Sequence, residues 1–398
     1  MDKIDEVLTR GVANVIPGKD ELAKALRSGK KLNIYLGIDP TAPRIHLGHA
    51  VPLRKLQLLA GLGHNVTLLI GNFTTLIGDT SDKESERPIL TEEEIEQNFQ
   101  TYKEQASKIL DFSKIKVVHN GDWLSKLTFK DIIKLTQHFS VNDFITRELI
   151  AKRLKAGKHI RLDEVLYPIM QGYDSYHLDT DVQLGGTDQT FNLQAGRTLQ
   201  RVLRNKESFV MTNPFLDGTD GRKMSKSWGN AIWLSDTPED MYAKVLAIKD
   251  ELIVQYFTLG TNLPLEEIDT IEEALKSGEH PMQLKKRLAF AIVSELYDKK
   301  EAEKAAEAFL HRVQKKELPA DIPSIRLTEE PNTLSDALVH SGLVESKSEA
   351  KRVITQGGTV VDNQQVTDPY APFEAFVSDS GTVIQVGKRR IVKIEIEK

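Results

Sequence analysis

Apolar positions in the first two hundred residues follow two alternating rhythms. Short runs rich in strand formers, NIYLGID (33–39) and VTLLIGNF (66–73), flank a helical pattern. In that pattern Val51, Leu53, Leu56, Leu59 and Leu62 recur at helical spacing, and Gly61 and Gly63 close it. A strand, a helix and a strand in succession predict a βαβ unit with a parallel sheet. KVVHN (116–120), VQLGG (182–186) and SFVM (208–211) are predicted as further strands, with helices between them. After Trp233 the rhythm is helical throughout, past QLKKRLAFAIVSELYDKK and EAEKAAEAFLHRVQKK. LPADIPSIRLTEEP (318–331) carries three prolines and no period, and reads as a linker. A helix near NTLSDALVHSGL and the stretch SKSEAKRVITQGG then lead to short strands in TVVDNQQV, GTVIQVG and RRIVKIEIE. The shifts divide the chain into 1–233, 234–317, 318–332 and 333–398.

At 398 residues the chain predicts two or three domains rather than one core. A hydrophobic content of 40% and a charged content of 28% are those of an ordinary globular protein. The net charge of −5 argues against bulk attraction to nucleic acid or anionic membrane, while leaving local basic patches open. With no cysteine, disulfides and thiolate metal sites are excluded. The opening MDKIDEVLTRGVANVI is unlike a secretory signal, and no run approaches the roughly 18 apolar residues that span a bilayer. A soluble, cytoplasmic chain is expected.

Four stretches carry chemistry. In DPTAPRIHLGHA (39–50) a strand gives way to a helix start, where free N–H groups and the helix dipole favour an anion. His46 and His49 point to one side and can donate to phosphate or ribose oxygens. Gly48 between them would let a flat adenine ring lie against the backbone. On the residues alone, two unconnected surface histidines remain the other reading. DGRKMSKSWGN (220–230) sets Lys223 and Lys226 among glycines, suited to a transient grip on phosphates or simply to a solvated basic loop. In EVLYPIMQGYDSYHL (164–178), Tyr167, Gln171 and Asp174 share one helix face between apolar neighbours. That stripe is either solvent-facing or the lining of a polar-headed pocket, on which Tyr35 and Asp79 could converge. In SKSEAKRVITQGGTVVDNQQV, Lys347, Lys351 and Arg352 form a basic helix face, with a second cluster at 388–390. Acidic and basic residues nearly balance over 333–398, so clustering alone carries the electrostatic case for RNA.

The HLGH turn and KMSKS, some 180 residues apart and in this order, resemble the two ATP-binding signatures of the class I aminoacyl-tRNA synthetases. With QGYD and the terminal stretch, the resemblance extends over essentially the whole chain to the bacterial tyrosyl-tRNA synthetases. It implies an α/β architecture: a Rossmann-type parallel-sheet catalytic domain over 1–233, with a connective insertion at roughly 80–185. An α-helical anticodon-region domain would follow over 234–317, and a small α+β RNA-binding domain like a ribosomal protein over 333–398. The implied reaction activates L-tyrosine with ATP to tyrosyl-AMP and pyrophosphate, then transfers tyrosine to the terminal ribose of tRNA(Tyr). A homodimer is implied, and no membrane partner.

Carried over residue by residue, Tyr35 matches the tyrosine that hydrogen-bonds the substrate phenol, and Asp174 the aspartate that accepts its proton. Asp79, Tyr167 and Gln171 match groups around the substrate ammonium, and Asn120 a substrate-pocket position. Asp188 and Gln189 match residues meeting ribose and substrate, and Gly186 lies beside the nucleotide. Gly37, Asp39 and Gly48 belong to the same ATP-binding surround. Thr41, His46 and His49 match groups near the phosphates, and Lys83, Arg87, Lys223 and Lys226 match loops that clamp the leaving pyrophosphate. HLGH replaces the commoner HIGH, and Thr190 stands where some relatives carry a tryptophan. Mg²⁺ would arrive with ATP, held by phosphate oxygens, because no dedicated protein cage is evident.

Tyr35 with Asp174 can serve a hydroxyl as both acceptor and donor, which among the aromatic amino acids only tyrosine offers. Tryptophan is the nearest rival substrate. A small nucleotidyltransferase would lack KMSKS and the terminal module. A non-catalytic RNA-binding relative would have lost Asp79, Asp174, His46 or the loop lysines, and all of these are present.

Overall fold

The computed structural model describes residues 2–79, 90–225, 228–311, 322–328, 331–362, 364–378, 381–387 and 390–396. Packing divides the chain into Met1–Phe309 and Leu310–Lys398. In the first unit, strands β1 (Asn14–Ile16), β2 (Asn33–Ile38), β3 (Asn65–Ile70), β4 (Ile115–His119), β5 (Val182–Gly186) and β6 (Phe209–Asn213) form one sheet. Their order is β1-β6-β5-β2-β3-β4. All predicted strands of this region are present, and β2 to β6 run parallel. The sheet is nevertheless mixed, because β1 pairs antiparallel with β6, Asn14 opposite Thr212. Three residues are too few to show a period, so this edge strand leaves no signal in the sequence.

The chain goes one way from β2 to β3 and β4 and the other way to β5 and β6, so a topological switch lies between β2 and β5. Crevices beyond the carboxyl ends of strands open at such points. The crossover after β2 is the helix Leu47–Gly61, which buries Leu47, Val51, Leu53, Leu56 and Leu59 against the sheet. Helices Pro238–Leu246, Ile253–Gly260 and Pro281–Leu296 join the same apolar core through Met241, Tyr256, Phe257, Leu288 and Ile292. The change of rhythm at Trp233 therefore marks a change of layer within one core.

Two buried cations fasten this core to the amino-terminal helix Lys3–Thr9. Lys55 Nζ donates to the carbonyls of Val7 (2.5 Å) and Arg10 (2.6 Å). Arg10 in turn donates to the carbonyls of Thr258 (3.3 Å) and Thr261 (3.2 Å). Helix ends leave carbonyls without intrahelical partners, and a cation there also meets the negative end of the dipole. Burial, together with the Arg10 charge, pushes the Lys55 ammonium down to about 7.

The second unit carries a sheet in the order β7-β11-β10-β8-β9. Its strands are β7 (Ser324–Leu327), β8 (Thr359–Val361), β9 (Gln364–Val366), β10 (Thr382–Val386) and β11 (Arg390–Ile396), with helices Leu334–His340 and Lys347–Thr355. Leu334, Leu338, Ile354, Phe373, Ile384 and Ile394 give it a core of its own. The stretch read as a linker at 318–332 holds β7, which pairs parallel with β11, Ile325 opposite Ile394. Four residues flanked by prolines do not announce a strand whose partner lies so far along the chain. Among the described residues no helix is long and apolar enough to cross a membrane.

Helix Leu162–His177, which carries the polar stripe, packs against helix Thr190–Arg204 through small residues. A Cβ on Gly172 would stand 3.1 Å from the Ala195 carbonyl carbon. One on Gly196 would stand 2.3 Å from Gln183 Oε1 and 2.8 Å from Ser175 Cβ. Overpacking of this kind costs about 1–3 kcal/mol. Gly196→Ala is therefore expected to lower the unfolding free energy by that amount, read as a lower denaturant midpoint. Gly61→Ala, at a helix end with nothing within 4 Å of the new Cβ, should be neutral or stabilising in the same measurement.

Candidate active site

At the switch point a cavity of about 260 Å³ opens beyond the carboxyl ends of β2 and β5. Its floor is made by Tyr35 from β2 and Asp174 from the 162–177 helix, each 2% exposed. The Tyr35 hydroxyl donates to Gln183 Oε1 at 3.3 Å, across the β2–β5 pairing in which these two residues stand opposite. Trp123 Nε1 donates to Asp174 Oδ1 at 2.8 Å, and Asn120 Nδ2 to Asp174 Oδ2 at 3.1 Å. Asn120 also donates to Thr74 Oγ1 (3.0 Å) and accepts the Phe73 N–H (2.9 Å), so its amide is fixed on both sides. The Trp123 indole is stacked on His177 with ring centres 4.3 Å apart.

Burial pushes the Asp174 carboxyl up to about 8, outweighing the two donors, which favour the carboxylate. Tyr35 is pushed up as well, by burial and then by the Asp174 charge. Asn120, predicted as a pocket residue, is not among those lining the cavity. It is fully buried behind Asp174 and acts as its support.

Above the floor, Tyr167 donates its hydroxyl to Asp39 Oδ2, and Thr74 donates to Asp39 Oδ1, both at 2.8 Å. Asp79 accepts from Gln189 Nε2 at 2.6 Å and Asn192 Nδ2 at 3.4 Å. Gln171 Oε1 is buried without a hydrogen-bond partner among the described residues. Asp39, Asp79, Tyr167, Gln171 and Gln189 all line the cavity, so the stripe faces a pocket rather than solvent. Together they offer acceptors suited to a single ammonium group. At the rim, Gly37, Gly186 and Asp188 also line it, and a Cβ on Gly186 would stand 2.4 Å from Asp188 Oδ1.

The histidine turn is compact. His46 is the N-cap of the 47–61 helix, and its N–H donates to His49 Nδ1 at 3.4 Å. The two rings are stacked 3.8 Å apart, and the His46 ring meets Trp233 edge-on. Burial, and then the charges of His49 and Lys223, push His46 down to about 2, so it is neutral near pH 7. Thr41 and His49 line the cavity, whereas His46 and Gly48 do not. A Cβ on Gly48 would stand 3.0 Å from the His46 ring, so this glycine makes room for the histidine to fold back on the helix start.

In the later loop Lys223 Nζ stands 4.3 Å from the centre of the Phe215 ring. Asn230 pins the loop by accepting the Ser225 N–H (2.9 Å) and donating to Asp220 Oδ1 (2.8 Å). Lys83, Arg87 and Lys226 lie outside the described residues. In the second unit Lys347 pairs with Asp336 at 2.7 Å, Lys351 leans on Tyr370, and Arg352 is exposed. Among the described residues no three His, Asp or Glu side chains gather as metal ligands. Trp123, Gln183, Thr74 and Asn192 complete the site and were not singled out from the sequence. An indole N–H in GDWL and an amide in VQLGG have no spacing signal, since their partners arrive through the fold.

Asp174 is protonated up to about pH 8 in the folded chain, against an ordinary value of 3.8. The folded state therefore holds this proton more tightly, and the group's contribution to stability, full at low pH, is lost as pH rises from about 4 to 8. In urea titrations, the stability of the parent chain relative to Asp174→Asn is expected to fall across that window. A difference independent of pH would contradict the assignment.

A family model described as class I tRNA synthetases (W and Y) matches residues 27–314. A second, described as the tyrosine–tRNA ligase SYY-like C-terminal domain, matches residues 314–394. A tyrosine–tRNA ligase of Thermotoga maritima is 43% identical over 391 residues, covering 98% of this chain and 96% of the relative. One of Carboxydothermus hydrogenoformans is 42% identical over 406 residues, covering 99% and 98%. Among solved structures, the tyrosyl-tRNA synthetase of Archaeoglobus fulgidus complexed with L-tyrosine has a similar fold, with a TM-score of 0.61 and 24% identity. That likeness covers 77% of this chain and 100% of the other. A C-terminally truncated mitochondrial tyrosyl-tRNA synthetase of Aspergillus nidulans gives 0.64 at 23% identity, over 77% and 92%. With a switch-point cavity, a histidine turn and two matched family regions in one chain, this protein belongs to the class I aminoacyl-tRNA synthetases of the tryptophan and tyrosine group.

Proposed function

We propose that the chain is a tyrosine–tRNA ligase, and the buried pair of Tyr35 and Asp174 at the cavity floor carries this reading. A phenol reaching the floor meets one hydroxyl and one carboxyl, both already fixed by the protein. Phenylalanine would offer no hydrogen bond to the capacity that Gln183, Trp123 and Asn120 leave unused on these groups, at a cost of about 1–3 kcal/mol. The ammonium of the same substrate would lie among Asp79, Tyr167 and Gln171. Its carboxylate would then face the rim, where Gly186 and Asp188 meet the ribose.

The tyrosine carboxylate attacks the α-phosphorus of ATP in line. A carboxyl–phosphate bond forms, the bond to the bridging oxygen breaks, and pyrophosphate leaves. A terminal ribose hydroxyl of the tRNA then attacks the tyrosyl carbonyl and AMP departs. Such steps ask mainly for positioning and for charge stabilisation on the departing oxygens. Neutral His46 serves as an N–H donor, with Thr41 and His49 beside it. Lys223, together with Lys83, Arg87 and Lys226, supplies positive charge. Magnesium would ride on the triphosphate. The helices after Thr237 would meet the anticodon region, and in the second unit Lys347, Lys351 and Arg352 would lie against tRNA phosphates, in the cytoplasm where tRNA is charged.

A homodimer is supported by large apolar side chains left exposed within one segment, Phe129 (80%), Val141 (71%) and Leu162 (73%). Leu162→Asp combined with Phe129→Asp is expected to shift the sedimenting species to one chain. An unchanged dimer would place the interface elsewhere.

ATP–pyrophosphate exchange tests the activity directly. Tyrosine should support exchange, while tryptophan and phenylalanine should give none above background. Lys223→Ala should slow exchange by about 10²–10³-fold while changing tyrosine binding little, the size expected for one preorganised stabilising group. Equal losses in binding and rate would contradict the assignment of this lysine.

A further inference from the structure

We propose that Tyr370, in the second unit, is a stacking platform for an unpaired base of the bound RNA. The inference rests on the reading of this unit as an RNA-binding domain and adds to it a residue and a mode of contact. Tyr370 is 63% exposed, although an aromatic ring of this size ordinarily covers apolar surface.

The turn that carries it is held on several sides. Ser335 Oγ donates to the Pro369 carbonyl at 2.6 Å, and the Leu334 N–H to the Ala371 carbonyl at 2.9 Å. The Tyr370 N–H itself donates to Asp368 Oδ1 at 2.9 Å. An exposed ring on a backbone fixed in this way loses little freedom when a flat partner settles on it.

Cations stand beside it, with Asp368 at its N–H and Asp336 paired to Lys347. Lys351 Nζ stands 4.7 Å from the ring centre and donates to the Tyr370 hydroxyl at 3.2 Å. Lys347 is one turn earlier on the same helix face, and Arg352 follows Lys351. The turn thus adds an aromatic surface to the basic face predicted from the sequence. Charge for phosphates beside an aromatic face for bases is the combination that single-stranded RNA segments require. The other large apolar side chains exposed among the described residues of this unit are Leu310 and Val377, far apart along the chain. A docking protein would be expected to need a broader apolar patch.

Stacking and phosphate contact separate by their salt dependence. The full-length chain is titrated with a tRNA(Tyr) transcript that it aminoacylates, over a series of salt concentrations. Tyr370→Ala should weaken binding about tenfold at every salt concentration, with the slope of log K against log salt unchanged. Tyr370→Phe and Tyr370→Trp keep a ring and should bind within about twofold of the parent. Lys347→Ala and Arg352→Ala should each flatten the slope by about one. Thermal melts check that Tyr370→Ala still folds.

If Tyr370→Ala binds like the parent while the cationic variants flatten the slope, the platform is refuted and the RNA-binding reading stands. If the Lys347, Lys351 and Arg352 triple alanine variant also binds like the parent, the RNA-binding reading fails and takes the platform with it.

Discussion

Everything at the cavity floor depends on how one buried carboxyl group is held. Asp174 has almost no contact with water, and a carboxylate in that setting is costly unless hydrogen-bonded. The protein supplies two donors, Trp123 and Asn120, and fixes each of them in turn. Stacking on His177 orients the indole, and the Phe73 N–H and Thr74 hydroxyl orient the amide. Even so, burial leaves the group with a strong hold on its proton. On the proposed reading, a substrate hydroxyl entering from the cavity completes the network, and a bare ring does not.

The same economy governs the histidine turn. The His46 and His49 rings lie on one another because Gly48 carries no Cβ, and burial keeps His46 uncharged. A neutral ring can donate a hydrogen bond without repelling the cations expected nearby. Positive charge is left to Lys223, exposed on a loop that Asn230 pins at its base. A fixed neutral donor on a helix start and positive charge on a loop suit the proposed reaction, whose negative charge moves onto a leaving group. Both sets hang on one apolar core, which reaches from the sheet into the helices after Thr237.

Much of this was legible in the sequence, for reasons that differ by residue. The parallel strands β2 to β6 show as apolar runs because both faces of such a sheet are covered. Tyr167, Gln171 and Asp174 show as a stripe because a helix projects them on one face, although periodicity could not say whether that face met solvent. Tyr35 and Asp174 became a pair through family resemblance, and the fold puts them at one floor. Trp123 and Gln183 stayed hidden because a hydrogen-bond partner more than fifty residues away leaves no local pattern. In the sequence Gly48 reads as a ligand-facing glycine, yet its immediate neighbour is the His46 ring. β1 and β7 leave no pattern in the sequence because three or four residues beside prolines are defined by their pairing partners, not by their own period.

A crystal structure with L-tyrosine bound tests the central claim most directly. The account predicts the phenol oxygen within hydrogen-bond distance of both the Tyr35 hydroxyl and the Asp174 carboxyl, with the ammonium among Asp79, Tyr167 and Gln171. Tyrosine bound the other way round, or outside this cavity with the floor unchanged, would contradict it.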